Sequence, residues 1–197
     1  MSQRYSGSAL LDAARACVAE RGIARTTVTD VARRAGASRM TVYRAFPDAA
    51  SLWSTLLTRE IGGIIADAQA VAAARPTARE RLIAATLHAV RALRDDPMIR
   101  RVIELDGDRL LPYLTTRRGH AQEIAVGTVR ELLDAGRVDG SIRPVDAGAA
   151  ARLIELIVRS VVAAAPALID DAITPRIDTE LAEMLDAYLR PPPAGAP

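Results

Sequence analysis

The stretch Thr26–Phe46, TTVTDVARRAGASRMTVYRAF, carries the signals for two short helices joined by a tight turn. Thr27 can cap the first helix, and Asp30 stands three residues later in a capping-box position. Gly36 ends that helix, and Ser38 can cap the second. Two such helices around a glycine-centred turn have the dimensions of a helix-turn-helix, whose second helix enters the major groove of DNA. A short helical hairpin without any DNA role would give the same spacing, so the geometry by itself leaves both readings open.

A longer helix is predicted just upstream, beginning near Ser6 to Ser8. Arg21 followed by Gly22 fits its end, because a cation is favoured in the last turn and glycine adopts the left-handed conformation of a helix stop. Five apolar residues recur on one face of this helix: Leu10, Leu11, Ala14, Cys17 and Val18. We interpret the cysteine as a small core residue and not as a redox sensor.

The rest of the chain has a helical pattern almost to its end. Helices are predicted near 49–74, 77–94, 97–105, 116–136, 146–165 and 175–190, followed by a proline-rich tail at 191–197. Aromatic residues make up only 3% of the chain and hydrophobic residues 50%, which favours close-packed helices. We therefore predict an all-α fold with about nine helices.

Two domains are predicted from this pattern. Residues 1–48 form an N-terminal helix-turn-helix domain, and residues 49–197 form a larger helical domain. The long fourth helix links the halves, so no flexible linker is expected. Residues 1–58 carry eight arginines and four acidic residues, a net charge of +4, whereas the remainder carries −2. The positive charge is thus concentrated in the N-terminal part.

The composition excludes several classes of protein. All 26 basic residues are arginine, which removes Schiff-base chemistry and the phosphate-binding lysine of a Walker loop. The single cysteine excludes an intrachain disulfide and is compatible with a reducing compartment. The longest uncharged apolar run, 160–169, is about half of what a membrane span needs. We expect a cytoplasmic protein with no membrane partner.

The segment from Thr26 to Phe46 resembles the DNA-binding region of the TetR family of bacterial transcriptional regulators. The similarity covers about residues 8–57: the first helix, the Thr-Thr-Val entry, the Arg-Ala-Gly-x-Ser turn and the Val-Tyr-Arg-x-Phe-Pro segment. The remaining residues match the family only in helix number and length. The resemblance implies that residues 1–48 are a DNA-binding domain and that residues 49–197 are a ligand-binding and dimerisation domain. It further implies a homodimer that represses from a palindromic double-stranded DNA operator until a small-molecule effector binds the C-terminal domain.

The sequence departs from the family pattern at three positions. Met40 replaces the usual glycine of the recognition helix, Ala45 replaces a histidine, and Ala49 replaces the lysine that touches a phosphate at the start of the fourth helix. Loss of one phosphate contact should weaken binding and lower its salt slope by about one unit. The Met40 side chain can either contact a thymine methyl group or crowd the groove.

Seven residues are candidates for DNA contact: Thr27, Ser38, Arg39, Met40, Thr41, Tyr43 and Arg44. Tyr43 matches the family's phosphate-contacting tyrosine; its alternative is a half-buried core residue. Arg39 is the candidate for guanine readout and Arg44 for backbone or base contact, with a solvated helix face as the alternative for both. Thr27 is either a phosphate contact or only a cap.

Four residues are candidate polar contacts in a pocket otherwise lined by aliphatic side chains: Trp53, His88, Tyr113 and His120. Each has an ordinary core or surface role as its alternative. Such a pocket suits an apolar or amphipathic ligand. The histidines stand 32 residues apart with acidic residues between them, which fits neither a zinc site nor a calcium loop, so no metal or cofactor is expected.

The last two helices are predicted to form the dimer surface, because their apolar residues exceed what one inner face requires. These residues are Leu153, Ile154, Leu156, Ile157, Val161, Leu181, Met184, Leu185 and Tyr188.

Two other hypotheses remain beside the regulator. One is a helical small-molecule-binding protein whose specific DNA binding has weakened or been lost. The other, a helical-bundle enzyme, has no support from a nucleophile elbow or a GxGxxG motif, so no catalytic residue is assigned.

Overall fold

The computed structural model describes residues 6–115, 119–168 and 172–193, with side chains except at 108–115 and 165–168. These residues form nine α-helices and no strand, which confirms the predicted all-α fold. The helices are α1 Gly7–Arg21, α2 Val28–Arg34, α3 Arg39–Ala45, α4 Ala49–Ala72, α5 Ala78–Asp95, α6 Pro97–Thr115, α7 His120–Val138, α8 Ala147–Leu168 and α9 Thr174–Leu189.

The chain divides into two compact units. The first unit comprises Met1–Ile61 and Asp95–His120, and the second comprises Gly62–Arg94 and Ala121–Pro197. The division falls inside α4. The first unit thus extends past residue 48 and includes α6. The predicted boundary after residue 48 is a different one, because it separates the DNA-binding residues from the rest, and it stays a prediction.

The first unit is organised around α1. This helix buries one face completely, including Leu10, Ala14, Cys17 and Val18, and it packs against α2 and α6. In turn α2 packs against α3, whose Val42 is only 1% exposed. The predicted core role of Cys17 fits its full burial as a free thiol.

The predicted end of the sixth helix at residue 105 coincides with a kink at Asp106, but the helix resumes beyond this residue. Only Asp106 leaves helical geometry, with φ −123° and ψ 23°, and α6 continues to Thr115. Local propensity does not explain the continuation, because Gly107 and Pro112 are both poor helix formers, and tertiary context overrides propensity here. Likewise α8 runs three residues beyond the predicted end at 165, to Leu168. The predicted start of the seventh helix at 116 lies outside the described residues, and α7 is observed from His120.

The second unit buries an apolar cluster contributed by α5, α7, α8 and α9 together with Ile142 of the α7–α8 loop. Its fully or nearly fully buried members include Leu82, Leu133, Ile154 and Leu185. Burial of each such side chain contributes roughly 1.5–3 kcal/mol to stability. This core fixes which side chains of α8 and α9 remain on the surface.

Candidate DNA interface

A reciprocal capping box starts α2, as the sequence predicts. The Asp30 amide donates to Thr27 Oγ1 at 3.2 Å, and the Thr27 amide donates to Asp30 Oδ2 at 3.0 Å. The Thr27 hydroxyl also donates to the same carboxylate at 2.6 Å. These hydrogen bonds from Thr27 lower the pKa of Asp30 below its ordinary value. The Thr27 hydroxyl proton is therefore engaged within the protein.

The turn between α2 and α3 uses glycine and serine as predicted. Gly36 has φ +67°, a left-handed conformation that glycine adopts without strain. The Ser38 side chain accepts the Thr41 amide hydrogen at 3.1 Å, and the two hydroxyls share a hydrogen bond of 2.9 Å. Because one of these hydroxyls only accepts in that bond, its own proton is free to donate outward.

One face of α3 is buried in the core of the first unit, and the other face is exposed to solvent. Val42 and Phe46 are buried, whereas Met40 is 74% exposed and Tyr43 is 38% exposed. This exposure of Tyr43 is compatible with both of its interpretations, a phosphate contact and a half-buried core residue. Arg39 and Arg44 are also exposed. The outward face of α3 thus presents two guanidinium groups, a phenol and a thioether.

The arginines around α3 differ in how they are paired. Arg34 bonds Glu20, and Arg33 lies 3.5 Å from Asp30. Within the described part of the chain, no carboxylate lies within ion-pair distance of Arg39 or Arg44. Arg39 and Arg44 are thus unpaired on the helix that would enter a groove, where they can bind phosphates or guanine edges.

The positions that depart from the TetR pattern lie at the surface of the first unit. Ala45 and Ala49 are both exposed, and Ala49 is the first residue of α4. Their methyl groups offer no hydrogen-bond donor to a phosphate. The Met40 side chain projects furthest into solvent of the large apolar residues on α3, so any duplex docked on this helix would meet it.

A carboxylate that the sequence analysis missed holds the loop leading into α2. Asp106 Oδ2 accepts the Ile23 amide hydrogen at 2.7 Å, and Oδ1 accepts the Ala24 amide hydrogen at 2.8 Å. Asp106 is 2% exposed. No local signal marks this role, because the partners stand more than 80 residues away in the sequence.

The ligand candidates are not gathered into one described site. Trp53 is half-buried and His120 exposed in the first unit, and His88 is half-buried on α5 in the second. The side chain of Tyr113 lies outside the described residues. An open groove between α5 and α9 is lined by Ile83, Ala182, Glu183, Asp186, Ala187 and Arg190, and includes none of the three described candidates. Within the described side chains, no group of three potential metal ligands occurs.

The predicted dimer residues divide by exposure. Leu153, Leu156 and Met184 are each 45–47% exposed. Ile157, Val161 and Tyr188 are partly buried against the core of the second unit. The remaining three, Ile154, Leu181 and Leu185, are at most 5% exposed, so their side chains stabilise the monomer's own core and offer no surface to a partner.

Comparisons with known proteins agree with this architecture. Residues 10–52 match the model of bacterial regulatory proteins of the tetR family. An uncharacterised HTH-type transcriptional regulator of Mycobacterium bovis is 31% identical over 184 residues, covering 93% of this chain and 94% of the relative. The structure of a TetR-family regulator from Pectobacterium atrosepticum superposes with a TM-score of 0.76 at 22% identity, over 94% of this chain and 95% of that one.

A further solved structure, FadR of Bacillus subtilis in complex with stearoyl-CoA, superposes with a TM-score of 0.71 at 18% identity, over 94% of this chain and all of that one. The fold and the exposed face of α3 define a helix-turn-helix transcriptional regulator. Specifically, the chain belongs to the TetR family of bacterial regulatory proteins. In the part of the chain that is described, no helix is both long and apolar enough to cross a membrane.

Proposed function

We propose that this protein is a dimeric, cytoplasmic repressor that binds a palindromic operator and is released by a small apolar or amphipathic molecule. The observation that carries the proposal is the outward face of α3, where Arg39, Tyr43 and Arg44 are exposed and neither arginine has a carboxylate partner in the described residues. Specific DNA binding needs both phosphate contacts, which position the protein, and base contacts, which select the sequence.

The residues of this face have distinct proposed roles. Arg39, in the first turn of α3, reads guanine, and Arg44 contacts the backbone or a base. The hydroxyl of Tyr43 donates to a phosphate oxygen, and either Ser38 or Thr41 does the same with its free proton. Met40 contacts a thymine methyl group.

Thr27 stays among the proposed DNA contacts, but its hydroxyl is already hydrogen-bonded within the protein. Its hydroxyl donates to Asp30, so it can donate to a phosphate only if its hydrogen bond to Asp30 is broken. The capping box holds α2 in either case. We infer that Thr27 contributes more through the position of α2 than through direct contact.

Two copies of the chain are proposed to pair through α8 and α9. Leu153, Leu156 and Met184 leave apolar surface exposed on these helices, and a homodimer would bury it. A two-fold dimer places its α3 helices about one DNA turn or a small multiple apart, which accounts for a palindromic operator.

The proposed effector is an apolar or amphipathic molecule bound by residues 49–197, and a long acyl chain is one such class. The similarity of fold to a regulator solved with stearoyl-CoA supports this choice. Trp53, His88, Tyr113 and His120 remain its proposed polar contacts. An effector shifts the protein off DNA only if it binds the DNA-incompetent conformation more tightly.

A second candidate function is a helical ligand-binding protein without specific DNA binding. Three exposed departures from the family pattern favour it: Met40, Ala45 and Ala49. Selection of genomic fragments by the purified protein at about 150 mM salt separates the two functions, because nonspecific electrostatic binding fades at that salt concentration.

We expect an enriched palindrome from this selection. Arg39→Ala should relax the base preference at one position of each half-site, whereas Arg44→Ala should weaken binding more uniformly. A folded dimer that enriches no fragment, with or without cell extract to supply a corepressor, would support the second candidate function instead.

A further inference from the structure

The kink in α6 places a buried carboxylate against the loop that connects α1 to α2. Asp106 is the one described residue of α6 with non-helical dihedral angles, and its two carboxylate oxygens accept the amide hydrogens of Ile23 and Ala24 at 2.7 and 2.8 Å. Two backbone amides aimed at one carboxylate form strong, charge-assisted hydrogen bonds. The loop backbone is thus fixed from outside the helix-turn-helix itself.

The loop fits closely around this carboxylate. Gly22 has φ +77°, and a Cβ at this position would lie 2.6 Å from Asp106 Oδ2. The Thr26 hydroxyl also contacts the Gly22 carbonyl oxygen at 2.6 Å and the Cys17 carbonyl oxygen at 3.3 Å. Thr26 directly precedes the N-cap of α2, so the fixed loop ends where α2 begins.

The beginning of α6 is also bonded to α1. The Arg15 guanidinium of α1 bonds Asp96, which in turn caps the amides of Met98 and Ile99 at 2.9 Å each. The same guanidinium bonds Glu60 of α4 at 2.7 Å. The segment of α6 before the kink is therefore hydrogen-bonded at one end to Arg15 of α1, through Asp96, and at the other end to the loop after α1, through Asp106.

We propose that Asp106 is a positioning residue for DNA recognition: by holding Ile23 and Ala24 it sets the angle at which α2 and α3 leave α1. It touches no DNA itself. The outward face of α3 reaches phosphates and bases together only if this angle is kept. The inference rests on the proposed DNA binding and adds a residue that lies outside the helix-turn-helix.

Two variants test the proposal. Asp106→Ala removes both acceptors, and Asp106→Asn keeps one acceptor oxygen and nearly the same volume. We expect at least about a tenfold loss of affinity for the selected operator with Asp106→Ala, and a smaller loss with Asp106→Asn, because buried amides lose their partners. Removing a negative charge would by itself strengthen binding to DNA, so a loss of affinity cannot come from the change in charge.

The matched control is Asp139→Ala in the second unit. Asp139 also accepts a backbone amide of another element, that of Ala78 at 2.8 Å, and its removal changes the net charge by the same amount. We expect the control to lower the melting temperature while leaving operator affinity unchanged or slightly raised.

The salt dependence of binding separates positioning from mere loss of folded protein. A displaced α3 withdraws its arginines from the DNA, so fewer counterions are released and the salt slope falls. A smaller folded fraction lowers the apparent affinity at an unchanged slope. Unchanged affinity, or a loss with the wild-type slope, would overturn the proposal. If Asp106→Ala does not fold, Asp106→Asn decides by the same criteria. A wild-type chain that enriches no DNA would instead overturn the proposed function, and this inference with it.

Discussion

Ile142 folds back over Gly136 and contacts it through both backbone and side chain. The Ile142 amide donates to the Gly136 carbonyl oxygen at 3.0 Å, and a Cβ on Gly136 would lie 2.3 Å from Ile142 Cδ1. Since Ile142 is itself buried in the core of the second unit, it has little room to move. The end of α7 is therefore closed by a contact that only glycine permits.

We predict that Gly136→Ala destabilises the protein by about 1–3 kcal/mol, because overpacking outweighs the gain of up to ~1 kcal/mol in helix propensity. Gly127→Ala is the control on the same helix, where an added Cβ meets no atom within 4 Å. It should be neutral or stabilising. Urea unfolding of both variants measures the difference, and equal stabilities would contradict the packing argument.

Asp178 in α9 supplies a prediction about pH. Burial alone would raise the pKa of this carboxylate, but hydrogen bonds from Arg94 and Arg91 outweigh it and hold the pKa below the ordinary value. A group with a lowered folded pKa stabilises the protein above its unfolded pKa, and this contribution disappears as the pH falls through the folded pKa.

Asp178→Asn should therefore cost ~2 kcal/mol at pH 7, because it leaves the mostly buried Arg94 without its carboxylate. The difference from wild type should shrink as the pH falls below the unfolded value of 3.8. Denaturant titrations at pH 7 and near pH 3 give both numbers. If the stability difference between wild type and Asp178→Asn grows toward low pH, the Arg94–Asp178 ion pair does not stabilise the protein in this way.

Tyr43→Phe tests the phenol on α3 without changing its packing. The exposed hydroxyl is proposed to donate to a phosphate, and its loss should weaken operator binding about fivefold while leaving stability within ~0.5 kcal/mol. The salt slope should stay constant, since a neutral donor releases no counterion. Arg44→Ala is the contrast, with a slope lower by about 0.9 if it contacts a phosphate. Unchanged affinity in Tyr43→Phe would remove the residue from the interface.

Leu156→Glu tests the proposed dimer surface. A carboxylate buried there on association would lack a partner, so we expect monomers at micromolar concentration by sedimentation. Val138→Glu is the control, because Val138 is 88% exposed at the end of α7 and away from α8 and α9 in sequence. Monomeric wild-type protein would overturn the dimer, and an unaffected Leu156→Glu dimer would place its surface elsewhere.

The short helices of the first unit could be predicted because their signals are local. Thr27, Asp30, Gly36 and Ser38 each act within a few residues of their own position, and the structure shows the caps that the sequence predicts. Likewise the alternation of buried Val42 and exposed Tyr43 follows from helical periodicity alone.

Other features depend on contacts between distant parts of the chain, and the sequence analysis missed them. The Asp-Gly turn signal locates the kink at Asp106, but nothing local indicates that its carboxylate bonds Ile23 and Ala24 or that α6 continues beyond it. On α8, Leu153 and Ile154 are equally apolar, and only the packing of the second unit decides that Ile154 is buried and Leu153 exposed.

The half-buried Trp53 gives the molecule a built-in optical probe. It is the only tryptophan, and it belongs to the first unit, so intrinsic fluorescence excited at the indole band reports on that unit alone. Circular dichroism, in contrast, reports on helices of both units. Unfolding curves that coincide by both signals would mean that the two units melt as one cooperative body, and curves that separate would mean that each melts by itself.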